Sequence, residues 1–220
     1  MTTITPSEAV ALVRKNLDEI APNGSVMYDS DNEYGDNESL DMTIKKTLPE
    51  AINAVHLAAP TQLLEGKDAT ISDPSVSSDG VLSFSLGSGS KYIRLVAFKA
   101  VDSSIVVTDT IPEASAEGRK QLNEYVRGRY DRPRLVLLQG RQTEPAFKYY
   151  TLKSDVTPAS AVALFQYIQE QFYSADATSY DISRRLRQNI IDYLTAMVLD
   201  IYSDQHAQTY YQKANNFPTI

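Results

Sequence analysis

Apolar residues recur along this chain with two different periods, three or four residues apart near both ends and two apart through the middle. In "TPSEAVALVRKNLDEI", Val10, Val13, Leu17 and Ile20 mark one face of a helix. Thr5 stands as its N-cap, Pro6 takes the first helical position and Glu8 completes a capping box. A second helix is expected from about 38 to 59, with Leu40, Ile44, Leu48, Ile52 and Val55 on one stripe. Pro49 falls inside that stripe, where it removes a backbone donor, so a kink or break is expected near Thr47.

Between 66 and about 155 the period shortens. "GVLSFSL", "KYIRLVAFKAV", "SSIVVTD", "PRLVLLQ" and "FKYYTL" are short, rich in β-branched and aromatic residues, and separated by Gly, Pro, Ser and Asp. They read as strands, "GSGS" at 87–90 reads as a hairpin turn, and a helix over 113–125 interrupts the series. The stretch 158–172 fits a strand through Val162, Leu164 and Ile168 or a helix through Ala161, Leu164, Ile168 and Phe172, the strand being preferred. Helical spacing returns near Ser179 or Asp181, with Ile182, Leu186, Ile190, Tyr193 or Leu194, Met197 and Ile201 on its stripe, and renews at Ser203 as a shorter helix. No internal repeat is present. The expected fold class is α+β: a helical layer assembled from both termini (1–65 and 178–220) around a β-rich insertion (66–177), an antiparallel sheet or a small barrel.

Composition narrows the function. The 220 residues are 42% hydrophobic and 22% charged, ordinary for a globular chain, and contain no Cys, which excludes disulfides and thiolate metal sites. "MTTITPSEAV" has neither the basic nor the apolar region of a secretion signal, and no apolar run approaches the roughly 18 residues of a membrane span. A soluble product made in the cytoplasm, with no membrane partner, is therefore expected. The net charge of −7 is uneven, because residues 1–80 hold 14 Asp and Glu against 5 Lys and Arg. Such an acidic third argues against wrapping nucleic acid as the main task.

The densest acidic stretch, "DSDNEYGDNESLD" at 29–41, invites comparison with a calcium-binding EF-hand loop. Asp29, Asp31 and Glu33 fill positions 1, 3 and 5, but position 6 is Tyr34 rather than Gly and position 12 is Leu40 rather than Glu. Helix-start chemistry explains it better, with Asp36 or Asn37 as cap and Glu38 and Asp41 in the first turn. No metal site, no cofactor and no catalytic residue is expected: His56 and His206 lack partners at a recognisable catalytic spacing, and no H-E-x-x-H, G-x-S-x-G or P-loop occurs.

Two features suggest partners. "RKQLNEYVRGRYDRPR" gathers Arg119, Arg127, Arg129 and Arg132 with two further basic residues against Glu124 and Asp131. Arg on phosphates with Tyr125 or Tyr130 stacking on bases would suit nucleic acid; a protein interface pairing with the acidic N-terminal third is preferred. The chain has 14 Tyr and no Trp, several of them clustered, among them Tyr202, Tyr210 and Tyr211. These serve either as interface residues or as internal packing.

"DNESLDMTIKKTLPEAINAVH" resembles a helix of the head-to-tail connector or adaptor proteins that sit beneath the portal of tailed phages, and "RRLRQNIIDYLTAMVLDIYSDQHAQTYYQKAN" resembles their C-terminal helix pair. "PEASAEGRKQLNEYVRGRYDRPRLVLLQ" followed by an aromatic strand is most similar to ring proteins of crAss-like phages. The resemblance implies a virion structural protein rather than an enzyme. It would form a ring, twelve-fold by analogy, in the neck between portal and tail, touching the portal and other ring proteins while DNA passes through its lumen without specific binding. The alternatives are another virion module, a tail or capsid decoration protein, or a nucleic-acid-processing or hydrolytic enzyme using Arg127, Arg129 and carboxylates such as Asp31 and Glu33.

Overall fold

The chain leaves a helical unit after Glu65 and re-enters it at Gln171, so that Met1–Glu65 and Gln171–Ile220 form one compact unit and Gly66–Glu170 another. The computed structural model describes residues 1–20, 40–87, 89–129, 131–138, 145–150 and 156–219. Most of the acidic stretch at 29–41, and with it the calcium question and the carboxylates Asp31 and Glu33, lies outside them. In chain order the first unit opens with β1 (Thr2–Ile4), α1 (Pro6–Ile20) and α2 (Leu40–Ala58). The second contains β2 (Lys67–Asp68), β3 (Ile71–Val76), β4 (Val81–Leu86), β5 (Tyr92–Ala100), β6 (Ile111–Pro112), the one-turn α3 (Ala116–Lys120), β7 (Leu135–Leu138), β8 (Ala146–Tyr150) and β9 (Val162–Gln169). The first unit is completed by β10 (Tyr180–Ile182), α4 (Arg187–Ile201) and α5 (Ala207–Ala214). The class is α+β, with helices at both ends and a sheet-rich centre.

In the helical unit, Thr5 caps α1 as expected, its Oγ1 accepting the Glu8 N–H at 3.1 Å. The Glu8 carboxylate pairs with Arg187 on α4, so its charge joins the two ends of the chain. The whole expected stripe of α2, Leu40, Ile44, Leu48, Ile52 and Val55, is buried. The helix does not break at Pro49: α2 runs on through it as one element. Leu48, Pro49 and Ile52 are themselves buried, and this packing offsets a missing hydrogen bond that costs about 3 kcal/mol in an exposed helix. α4 is buried on nearly every side, from Asn189 to Leu199, and its polar residues are answered. Asn16 donates to Thr195 Oγ1 at 3.0 Å, and Asn189 Nδ2 reaches the carbonyls of Ala214 and Asn216 at 2.8 and 3.2 Å, docking the end of α5.

The expected helix start near 179–181 is displaced. Tyr180 to Ile182 instead pairs antiparallel with the first residues of the chain, Thr2 opposite Ile182 and Ile4 opposite Tyr180, and α4 begins only at Arg187. Helical spacing at Ile182 and Leu186 arises because both are buried from a strand and a turn respectively. One side of α2 holds both points where the chain crosses between units. Asn53 Nδ2 donates to the Gln171 carbonyl at 2.8 Å while its Oδ1 accepts the Gln171 N–H at 2.9 Å. The Ser183 N–H donates to His56 Nε2 at 3.3 Å, and Ser183 Oγ accepts the Glu65 N–H at 3.0 Å.

The second unit is two sheets, β2-β9-β5 and β3-β4-β8-β7-β6, antiparallel except for β6 beside β7. In β4 Leu82, Phe84 and Leu86 point inward and Ser83 and Ser85 alternate outward, the period-2 pattern of a half-buried strand. The inward faces meet in an aromatic cluster. Phe84 stacks on Phe98 at 5.9 Å, and Phe147 meets Phe165 edge-on at 5.0 Å, each pair spanning the two sheets. Such pairs contribute about 0.5–1.5 kcal/mol beyond the area they bury. The hairpin expected at "GSGS" is not formed, since β4 and β5 on either side of it belong to different sheets. Gly89 takes φ +82 there, a left-handed conformation suited to Gly. Of "SSIVVTD", Val107 alone makes a bridge, exchanging two 2.8 Å hydrogen bonds with Phe98. The preferred strand reading of 158–172 holds over Val162–Gln169.

Leu48, Ile52, Ile190 and Leu194 are all fully buried. Replacing any one by Ala should cost on the order of 2–5 kcal/mol in chemical denaturation, and near-neutral behaviour at two of them would contradict the packing.

A second expectation concerns pH. Burial lowers the pKa of His56 from 6.5 to about 4, so the unfolded chain takes up a proton that the folded chain refuses. Stability from this group is complete above about pH 6.5 and is lost as the pH falls toward 4, a total of roughly 3 kcal/mol. The wild-type advantage over His56→Gln in urea melts should therefore shrink between pH 7 and pH 4.5. A constant difference would show that His56 is not the group titrating.

Candidate interaction site

The arginine-rich stretch is built on β6. Ser115 Oγ accepts the Gly118 N–H at 2.9 Å and donates to the Pro112 carbonyl at 2.7 Å, starting α3 and tying it to the strand before it. A Cβ on Gly118 would stand 2.2 Å from the Pro112 carbonyl oxygen, so this close approach requires Gly. The helix expected over 113–125 is only Ala116–Lys120. Leu122 and Val126, the apolar residues that suggested a longer helix, are 67% and 57% exposed, so no buried stripe holds further turns.

Beyond α3 the chain forms a loop closed by side chains. Gln121 is buried; its Oε1 accepts the Gly128 N–H at 2.7 Å and its Nε2 donates to the Glu117 carbonyl at 3.3 Å. Arg129 and Arg132 exchange backbone hydrogen bonds of 3.2 and 2.9 Å, closing a tight turn before β7. Arg127 reaches into the β3–β4 turn, donating to Asp79 Oδ2 at 3.0 Å and to the Asp79 carbonyl at 2.8 Å. The Ser77 hydroxyl and then Arg127 hold the Asp79 carboxyl below the usual carboxylate range. The loop is thus fixed at its base, middle and end, while its crest carries Leu122, Val126 and Tyr125, the last 84% exposed.

Beside the crest lies a cleft of about 620 Å³ lined by Lys120, Arg127, Arg129, Arg132 and Arg134 against Glu117 and Asp131. A second groove of about 370 Å³ continues from Arg132 and Arg134 past the exposed Ile105 and Val106. The arrangement can hold an anionic group near an apolar one.

The sequence-derived residues divide sharply. Arg119, Arg129 and Arg132 are exposed on this loop, although Arg119 also donates to the Ala114 carbonyl at 3.1 Å. Arg127, with its side chain 15% exposed, acts as a strut on Asp79 rather than as a contact residue. Tyr202 is exposed at the end of α4. Tyr210 is buried, its hydroxyl on the Asn16 carbonyl at 3.4 Å and Lys213 over its ring at 4.3 Å, so packing accounts for it. Tyr211 is half-buried edge-on to Tyr193 at 5.2 Å, and burial raises its pKa. Sequence reasoning missed Ser115, Gly118, Gln121 and Asp79. Ser placed three residues ahead of an N–H it can cap is a readable signal for the first two; nothing local links Gln121 to Gly128 or Arg127 to Asp79.

Among the described residues, no group of three or more His, Asp or Glu is placed to hold a metal ion, and no helix is long and apolar enough to cross a membrane. Comparison with protein-family models, curated proteins and solved structures gives no match.

The division between support and crest has a direct consequence for stability. Gly118→Ala should cost on the order of 1–3 kcal/mol by forcing the Pro112 and Glu113 backbone apart. Tyr125→Ala or Val126→Ser should stay within about 0.5 kcal/mol of wild type in urea melts. Equal losses at both kinds of position would mean that the crest is packed.

Proposed function

We propose that this chain is a structural virion protein that assembles into a ring in the neck of a tailed phage, between portal and tail. One observation carries the assembling role: a loop held rigid by Gln121 and Arg127 presents Leu122, Tyr125 and Val126 to solvent beside Arg129 and Arg132. Exposed apolar residues at the centre of a polar rim have the anatomy of a protein contact. The same chain carries 14 acidic against 5 basic residues in its first 80. A basic patch and an acidic region on one subunit allow identical copies to meet head to tail, and such heterologous contacts close into rings.

The place of that ring, in the neck and touching the portal, rests on the resemblance of the α2, arginine-loop and α4–α5 sequences to connector and ring proteins. A chain of net charge −7 around a channel would let DNA slide instead of adhering. A tail or capsid decoration protein would share the self-contact but not the portal partner. For the enzyme alternative, Arg127 is already engaged by Asp79, and the proposed carboxylates lie outside the described residues.

The test is native mass spectrometry of the purified protein, alone and with portal. A closed ring, twelve-fold by the resemblance, is expected, and Arg129→Glu with Arg132→Glu should abolish it while leaving the melting temperature within a few degrees, as for other exposed changes. A wild-type monomer under all these conditions would overturn the reading.

A further inference from the structure

Building on that reading, we infer that the arginine loop is a preorganised docking site for an acidic, aromatic-bearing segment of a second copy of this chain. Tyr125 serves as its apolar anchor, and Arg129 and Arg132 recognise carboxylates.

The loop's own ion pairs sort the residues. Arg127 is committed to Asp79 at 3.0 Å and Arg134 lies 3.6 Å from Glu117, whereas Arg129 and Arg132 are exposed on a turn whose backbone is already closed, Arg129 also donating to the Tyr125 carbonyl at 3.5 Å. A contact formed there orders few additional backbone groups, which is the advantage of preorganisation. Leu122, Tyr125 and Val126 exceed half exposure on this fixed support, and removing them from water requires a partner with apolar surface of its own.

A protein segment satisfies these requirements better than nucleic acid does. Tyr125 has a ring face on which a base could stack, but Leu122 and Val126, exposed beside it, have none. Glu117, Glu124 and Asp131 are interspersed among the Arg residues, and a continuous phosphate backbone would be repelled by them. Discrete carboxylates can be placed between them.

Charge identifies the occupant. The densest acidic run of the chain, "DSDNEYGDNE" at 29–38, offers Asp29, Asp31, Glu33, Asp36 and Glu38 around the aromatic Tyr34. Asp41, just beyond, is engaged by Arg14 at 2.8 Å and is not counted among them. A run of five carboxylates with one aromatic side chain is the complement of a basic rim with an apolar crest.

The experiment is fluorescence polarisation with the full chain, held at a concentration below assembly, and a labelled synthetic peptide of residues 29–38. Its Asn/Gln counterpart and a duplex DNA oligomer are run alongside, with native mass spectrometry on the same samples. Saturable peptide binding that weakens with salt is expected. It should fall by at least about tenfold for Tyr125→Ala and for Arg129→Glu with Arg132→Glu, and be absent with the neutral peptide. No saturable binding, or binding untouched by both variants, overturns the inference. So does DNA binding lost in those variants without peptide binding, which reassigns the loop to nucleic acid. Rings that form without peptide binding overturn this partner and leave the ring reading standing. Peptide binding in a chain that forms no ring upholds the docking site and overturns the neck assignment.

Discussion

Everything in this chain depends on how α2 grips the two points where the polypeptide leaves the helical unit and returns to it. Asn53 binds both backbone polar groups of Gln171, and His56 and Ser183 together hold Glu65. These bonds bring residues more than a hundred positions apart onto one helix. They help offset the loop-closure entropy of the insertion, which opposes the contact of α4 with α1 and α2. The antiparallel pairing of Thr2–Ile4 with Tyr180–Ile182 and the Glu8–Arg187 ion pair strengthen the same junction from the other side. A buried His56 kept neutral by desolvation fits this role, since its Nε2 must be an acceptor for the Ser183 N–H.

The sheet unit solves a different problem. The opposed faces of its two sheets are joined by aromatic rings from β4, β5, β8 and β9. Rings cover large area with few rotatable bonds, so a small unit gains burial at low entropic cost. With the core supplied by these strands, the residues between α3 and β7 are released from packing. Their conformation is set instead by Gln121, Gly128, Arg127 and Asp79, which leaves the crest side chains at the surface.

Within this loop the chemistry of Arg changes with position. Arg127 and Arg129 are two residues apart, yet one is bound in a fork to Asp79 and the other is exposed. The same contrast holds between Tyr202, exposed, and Tyr210, enclosed between α1 and Lys213. Residue type indicated a capacity for contact in all four; burial against the rest of the chain distinguishes Arg127 and Tyr210 from Arg129 and Tyr202.

Local elements were legible from residue order alone, because a helix stripe or a strand alternation is written in neighbouring residues. The α2 stripe from Leu40 to Val55, the Thr5 cap, the inward Leu82, Phe84 and Leu86, and the strand at Val162–Gln169 could all be read for that reason. The cluster of Arg was legible in the sequence, but not its division into Arg127, engaged by Asp79, and Arg129 and Arg132, exposed. It took the folded chain to establish that Tyr180 to Ile182 pairs with the first strand, that β4 and β5 belong to different sheets, that α2 does not end at Pro49, and that the helix after Ser115 stops at Lys120. Each of these turns on a partner distant in sequence or on its absence. Periodicity records which residues share a face; what that face meets is settled by packing and by hydrogen bonds to remote backbone, and a lone sequence carries no record of those.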